Sequence, residues 1–563
     1  RDGDIAYFLR HLEDAFRRKL PRFDFYATDL LPFAAENTFV HRVLSALLMA
    51  IGRRKLTLIL DDVHVITGGA AMDFLIMLAK SCPRNLILVM AGRHELWGGL
   101  YRLKMEGKVA ELNRNDLCFN REEAEKLWGF FDEAAYEATE GWALALQSYR
   151  MAAEGVRFEH AFTCQPVCGP ARAALQTGKY PTETGCFTNN RALPLDEKTI
   201  AHYLSAAGYE VGYIGKWHLA SSKGENYRDK PVPPERRGGY KDFWVASDVL
   251  EFTSHSYDGH MFNARMEKVE FPKDRYRADC LTDHAVEYLR TRDLKKPFFL
   301  FISYIEPHHQ NDHNCFEGPK GSKEKFKDYK VPGDLEGTQG DWRENYPDYL
   351  GCINSLDRNL GRIRAELEKR GLTDNTLVIY TSDHACHFRT RNGEYKRSCH
   401  DNAIRIPMIA CGPGFRGGKV VRELVSLIDM PSTVLAAAGV LPPPTMRGNA
   451  LQPLVDGKAK DWPQEVFVQI SESQCGRAIR TDKWKYSVYA PDKKGGDPSS
   501  DVYEEQYLYD LETDPFEKNN LVSDPAFADV RKQLAETLKR RMAAVGEKAP
   551  VIRPAGSISG KTG

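Results

Sequence analysis

The sequence predicts an α/β protein, and three features predict it. Short apolar runs recur and end in polar or charged residues, amphipathic helical stretches separate them, and long polar loops rich in Pro and Gly intervene. The first run, Leu56-Thr57-Leu58-Ile59-Leu60, is followed by Asp61-Asp62. An unbroken apolar run of this length fits a buried parallel strand with the carboxylates at its C-terminal tip. Residues 85–91 repeat the pattern one helix later, and 211–214, 297–304 and 375–381 do so further along. Open parallel sheets take up ligands beyond the carboxyl ends of their strands. The residues that follow these runs are therefore the functional candidates.

Composition bounds the possibilities. A chain of 563 residues exceeds one ordinary domain. Its 42% hydrophobic and 28% charged residues are the balance of a globular protein. Lys+Arg and Asp+Glu both number 78, which leaves no net basic field to draw nucleic acid. No stretch reaches the roughly 18 apolar residues of a membrane-spanning helix. The chain opens on Arg1, so it reads as a fragment or a processed chain. Its 12 cysteines show no paired CxxC sets, which argues against a zinc ribbon. Cys82, Cys118, Cys352 and Cys411 read as small buried hydrophobes.

The character of the sequence changes near Met151. Helical periodicity dominates before it, as at 39–51 and 122–128; strands, helices and long loops alternate after it. The expected organisation is a first region 1–150, a catalytic domain 151–450, a small α+β subdomain 451–545 and a disordered tail 546–563. Residues 555–562, AGSISGKT, fit a relaxed phosphate-loop pattern. No strand precedes them and no helix can follow, so they are assigned to the tail.

In the first region, LDDVHVI, LVMAGRHEL and TEGWALALQ together resemble the ATPase domain of LuxR-type STAND regulators. The resemblance implies a partial P-loop-type α/β fragment in which Asp61 and Asp62 are Walker B acids. The phosphate loop that would cradle a nucleotide is absent upstream, as are the family's DNA-binding helices.

Residues 168–178 read CGPARAALQTG. Pro170 suits the first turn of a helix, which places residue 168 at a helix N-terminus, where backbone N–H groups and the dipole favour an anion. Arg172, one turn on, can offer a bidentate fork to an oxyanion there. This segment resembles the signature of the type I sulfatases, with Ala171 standing where that family usually has Ser. The resemblance covers about residues 151–545. It implies an alkaline-phosphatase-like sandwich around a mostly parallel sheet, with a small C-terminal α+β subdomain. It further implies that a maturation enzyme oxidises Cys168 to formylglycine, whose hydrate is the nucleophile.

The remaining landmarks follow in family order. Lys216 and His218, two apart at the end of 211–214, project to the same side of an extended segment. By the resemblance, Lys216 holds a sulfate oxygen and His218 orients the hydrate. His308 follows the apolar run 297–304 and maps to the histidine that donates to the sulfate group or the leaving oxygen; His309 and His313 are outer candidates. Asp383 and His384 close the run 375–381 as metal ligands, joined by residue 168 itself. Lys396 matches the lysine that neutralises sulfate, and His400 and Asp401 stand where they would shape substrate choice. The implied cofactor is Ca²⁺ or Mg²⁺, both of which accept oxygen ligands.

These parts together make a sulfuric ester hydrolase. A sulfate ester is an anion, so its attack needs cations on the nonbridging oxygens, a nucleophile held in line and help for the leaving alkoxide. A hydrated aldehyde also has a second hydroxyl that can expel sulfate after transfer. The expected substrate is a carbohydrate or aryl sulfate. The alternatives are a phosphonate or phosphodiester hydrolase of the same superfamily, or an inactive fusion with a STAND-like regulatory role.

One family feature is wanting. Sulfatases open with a strand ending in Asp-Asp ahead of the Cys, and none lies between the ATPase-like part and Cys168. Either a join removed that strand and left an incomplete metal site with compromised activity, or LTLILDD fills its place and supplies Asp61 and Asp62. The first is favoured, because neighbouring ATPase motifs tie Asp61-Asp62 to another fold.

Overall fold

A computed structural model describes residues 145–556 and, before them, 38–51, 56–60, 69–83 and 86–90 with a few isolated positions. The chain divides into two units, Arg1–Glu123 and Ala124–Gly563.

In the first unit, α1 (Phe39–Ile51) turns Val43, Leu47 and Ile51 inward. Two five-residue strands, β1 (Leu56–Leu60) and β2 (Leu86–Met90), pair in parallel with Leu58 opposite Leu88. The helix between them, α2 (Gly69–Lys80), buries Phe74, Leu75 and Leu78 in the same core as the inner face of α1. The strand–helix–strand expectation for this stretch is met. Asp61 and Asp62, with most of the three ATPase-like motifs, lie outside the described residues. Among the described residues, β1 is hydrogen-bonded to β2 in a two-stranded sheet.

The second unit begins before residue 151. The helix α3 (Leu146–Glu154) packs against strands and a long helix of this unit, and Asp357 accepts hydrogen bonds from Gln147 N and Ser148 N at 2.9 and 2.7 Å. It leads into β3 (Val156–Phe162), then α4 (Cys168–Thr177), α5 (Ile200–Ala206) and β4 (Glu210–Lys216). Next come β5 (Phe243–Ser247), β6 (His260–Asn263), β7 (Lys268–Glu270), α6 (Arg277–Thr291) and β8 (Phe298–Ser303). The long α7 (Trp342–Lys369) precedes β9 (Val378–Thr381), β10 (Met408–Cys411), β11 (Lys419–Ser426) and α8 (Asp429–Ala437).

These strands form two sheets, ordered β7-β6-β5-β4-β8 and β11-β3-β10-β9. In the first, β5, β4 and β8 run parallel; in the second, β3 and β11 run parallel and β10 opposes both β3 and β9. β4 is buried from Val211 onward, as an apolar strand flanked on both sides must be. β8 and β9 are the terminal strands of their sheets and remain half-buried, although FFLFI and VIYT are just as apolar. Phe298, Leu300 and Val378 belong to one apolar cluster, and Phe301, Leu377 and Ile379 to another. The two edge strands thus share both of these apolar clusters between them.

The C-terminal subdomain is an antiparallel sheet of β12 (Glu465–Ile470), β13 (Gly476–Thr481), β14 (Trp484–Tyr489) and β15 (Val502–Asp510), covered by α9 (Ala528–Ala544). The start of the expected tail is not disordered. β16 (Val551–Arg553) adds in parallel to the free edge of β15, and Ile552 packs against the core under α9. An open strand edge offers unpaired N–H and C=O groups that a following segment can satisfy, and a three-residue strand is too short to announce itself by pattern.

Candidate active site

The site residues stand at the carboxyl ends of β3, β4, β8 and β9, as the strand-tip argument requires. Cys168 is the first residue of α4, after Val167 in extended conformation, and Pro170 occupies the first turn. Its Sγ lies 2.8 Å from Lys396 Nζ and 3.3 Å from His384 Nε2. Lys396 Nζ is also 3.2 Å from His384 Nε2 and 3.4 Å from His308 Nε2. Four predicted residues from four separate stretches of sequence therefore meet around one sulfur atom.

Electrostatics agree with that geometry. Burial alone would raise the Cys168 thiol. Lys216, Lys396 and His384, with a hydrogen bond from His218, more than reverse it and hold the thiol well below the ordinary cysteine range. The pocket is thus built to hold an anion at position 168. His308 is pushed the other way, down to about 4, by burial first and then by Lys216 and Lys396. Its Nδ1 is 2.6 Å from His309 O, so the ring proton sits on Nδ1 and the Nε2 lone pair faces Lys396 and Tyr395 Oη, the latter at 3.0 Å. In the unmodified chain the thiolate absorbance of Cys168 is expected to persist well below pH 8.5. Lys396→Met should move its midpoint upward, as read by ultraviolet titration against Cys168→Ser.

Lys216 is almost fully buried and its Nζ is 2.7 Å from Glu251 Oε1. Glu251 lies just after β5, in a stretch whose sequence carries no motif. Burial opposes its charge, yet Lys216, His308 and His218 keep its carboxyl well below the usual value. Three more residues escape sequence reasoning. Asn189 Oδ1 accepts from Gly169 N at 2.9 Å, satisfying one open donor at the α4 N-terminus. Tyr395 holds His308, and Ser303 Oγ donates to Lys216 O at 2.8 Å. In each case the signal exists only in three dimensions, because the partner is remote in sequence.

Two expectations are corrected. Arg172 does not aim a fork at the anion. Its Nη1 donates to Lys216 O at 2.8 Å and Ser303 Oγ at 2.6 Å, while Nη2 lies 3.1 Å from Asp383 Oδ2. It therefore ties the tips of β4, β8 and β9 together; on a helix the side chain leans back toward the N-terminus and over the sheet, where those tips lie. His400 and Asp401 do not line the pocket either. His400 is buried against Tyr507 and Tyr509, and Asp401 is paired at 2.6 Å with Lys485, a fully buried lysine that also reaches Glu517 at 2.7 Å. They fasten the C-terminal sheet to the catalytic layer. His309 stacks on Tyr395 and meets Asn311, one shell away from the sulfur.

Cys168, Asp383 and His384 can each place a ligand atom within 4.8 Å of the others. Asp383 is buried. Its Oδ1 accepts from His384 N at 3.0 Å, and its Oδ2 has the Arg172 ion pair but no hydrogen-bond donor, an atom suited to a cation. His384 and Arg172 hold this carboxyl below its usual value against the cost of burial. These donors fit one side of a divalent cation. A hard ion such as Ca²⁺ takes six to eight oxygens, and the described residues at this point supply one carboxylate.

Comparison with known proteins agrees with the fold. Residues 140–440 match the sulfatase family, and 393–544 match the C-terminal region of N-sulphoglucosamine sulphohydrolase. An ulvan-active sulfatase of Formosa agariphila is 28% identical over 417 residues, covering 70% of this chain and 76% of the relative. An N-acetylglucosamine-6-O-sulfatase of Bacteroides thetaiotaomicron is 25% identical over 469 residues, covering 69% and 80%. Among solved structures, the yidJ sulfatase of Bacteroides fragilis superposes with a TM-score of 0.62 at 25% identity, covering 72% of this chain and 91% of that one. With the family match spanning more than half of its length, this chain belongs to the sulfatase family, within the alkaline phosphatase superfamily.

Proposed function

We propose that this enzyme cleaves sulfate esters of carbohydrates, with residue 168 as formylglycine and a divalent metal beside it. The observation that carries the reading is the meeting of Lys396, His384 and His308 at Cys168, with Lys216 close behind. The substrate class rests on the two carbohydrate-directed relatives.

The chain's own groups account for most of the chemistry. Lys396 and Lys216 offset the charge of the sulfate oxygens, in a buried setting where each contact is stronger than in water. Glu251 fixes Lys216, so its cation is oriented before substrate arrives. His308, neutral in the free site, gains a proton more readily once the sulfate anion offsets the two lysines; Nε2 then presents that proton to the leaving oxygen. Asp383, His384 and residue 168 would hold the metal, which supplies Lewis-acid stabilisation of the nucleophile's negative charge. The ATPase-like reading of residues 1–150 rests on their three motifs alone.

Hydrolysis of glucosamine-6-sulfate by the chain co-produced with a formylglycine-forming enzyme tests this reading. Sulfate release should exceed phosphate release from glucosamine-6-phosphate at least tenfold in kcat/KM. Equal or inverted rates would favour the phosphonate and phosphodiester alternative. The magnitude follows from charge: a site set for one anionic sulfuryl group loses at least about 1.4 kcal/mol on the more highly charged phosphoryl group.

A further inference from the structure

A second cluster of metal-ligand side chains lies outside the catalytic pocket, where the loop 253–259 meets the loop after β8. His255 Nε2 is 2.8 Å from Asp312 Oδ2, and His313 Nε2 is 4.0 Å from the same oxygen. Each of the three residues can place a ligand atom within 4.8 Å of the others. The two imidazoles lie nearly parallel, 4.3 Å between centroids.

The far side of every one of these groups is already held. His255 Nδ1 faces Asp258 Oδ1 at 3.3 Å, and His313 Nδ1 is paired with Glu317. Asp312 Oδ1 accepts from Gln310 Nε2 at 2.8 Å, and Gln310 is itself buried, with Nε2 also donating to Glu251 O. A carboxylate on one imidazole nitrogen orients the ring so that the other nitrogen faces the cluster, and an amide on one carboxylate oxygen does the same orienting work for the other. The remaining atoms, His255 Nε2, His313 Nε2 and Asp312 Oδ2, converge on one place, where His255 Nε2 and Asp312 Oδ2 now hydrogen-bond to each other.

We propose that these three side chains bind a borderline transition-metal ion, with Zn²⁺ the best match. Two imidazoles and one carboxylate suit Zn²⁺ better than Ca²⁺ or Mg²⁺, which take oxygen almost alone. Zn–N and Zn–O bonds of about 2.0–2.2 Å require the stacked rings to part. Partial exposure of both rings leaves room for that rotation. Three protein ligands leave a coordination position to water or to an oxygen of a bound molecule. The site is separate from Asp383 and His384 and stands whether or not the catalytic reading holds.

The test uses the full chain carrying Cys168→Ala, Asp383→Ala and His384→Ala, so that the catalytic donors do not compete. After chelation and dialysis, Zn²⁺ is titrated calorimetrically, and Co²⁺ is then used to report geometry through its visible absorption. One equivalent of Zn²⁺ is expected, with Co²⁺ bands of a four- or five-coordinate site. Adding His255→Ala and His313→Ala should remove both signals, while unchanged circular dichroism shows that the fold persists. Glu317→Gln should weaken binding about 10- to 100-fold without removing it, which a purely structural role for Glu317 would not do. Zn²⁺ binding that survives the double histidine change, or no binding by the chain lacking the three catalytic donors, would overturn the proposal.

Discussion

Cys168→Ala is expected to lower sulfate ester hydrolysis by about four orders of magnitude or more, the scale seen when a covalent nucleophile is removed from a preorganised site. The fold should survive. Cys168 is a small buried side chain at the start of α4, and alanine keeps the helix while losing one sulfur atom. The loss should appear in kcat, because Lys216, Lys396 and His384 remain to bind the anion. A variant that keeps more than a hundredth of the parental kcat, measured on glucosamine-6-sulfate with matched protein, would place the nucleophile elsewhere.

Lys396→Met is expected to lower kcat/KM by about 10²–10³, the cost of removing one preorganised donor from a developing anion. Methionine preserves most of the buried stem, so packing changes little. A second readout separates this role from a structural one. Lys396 is one of the two cations that hold His308 down to about 4. Without it the histidine takes up a proton at higher pH, and the His308 limb of the pH–rate profile should move upward. A fall in activity with an unmoved profile and a lowered melting temperature would instead mark Lys396 as a packing residue.

Much of this site is legible in the sequence because each strand is announced by its own apolar run. The residues beyond β4, β8 and β9 are named by position once those runs are seen, and the helix at Cys168 is announced by Pro170. Glu251, Asn189 and Tyr395 are silent because each acts through a partner far away in sequence, and a lone Glu or Tyr in a polar loop has no local signature. Arg172 illustrates a subtler limit. Its proximity to the nucleophile follows from helical spacing, but its direction is set by carbonyl and carboxylate acceptors on three strand tips. The roles of His400 and Asp401 are hidden for the same reason, since the buried Lys485 that claims Asp401 comes from the C-terminal sheet. The two-stranded pairing of β1 with β2 is the kind of tertiary choice that an apolar run alone leaves open.

The central claim concerns the side chain at position 168, and the mass of the tryptic peptide 158–172 tests it most directly. That peptide contains both Cys164 and Cys168, so the first serves as an internal control. Produced together with a formylglycine-forming enzyme, the chain should show an aldehyde at 168 and an intact thiol at 164. Sulfate release should rise in proportion to the aldehyde fraction. Sulfate release from a chain whose Cys168 remains a thiol, or none from a chain fully converted to the aldehyde, would contradict the account.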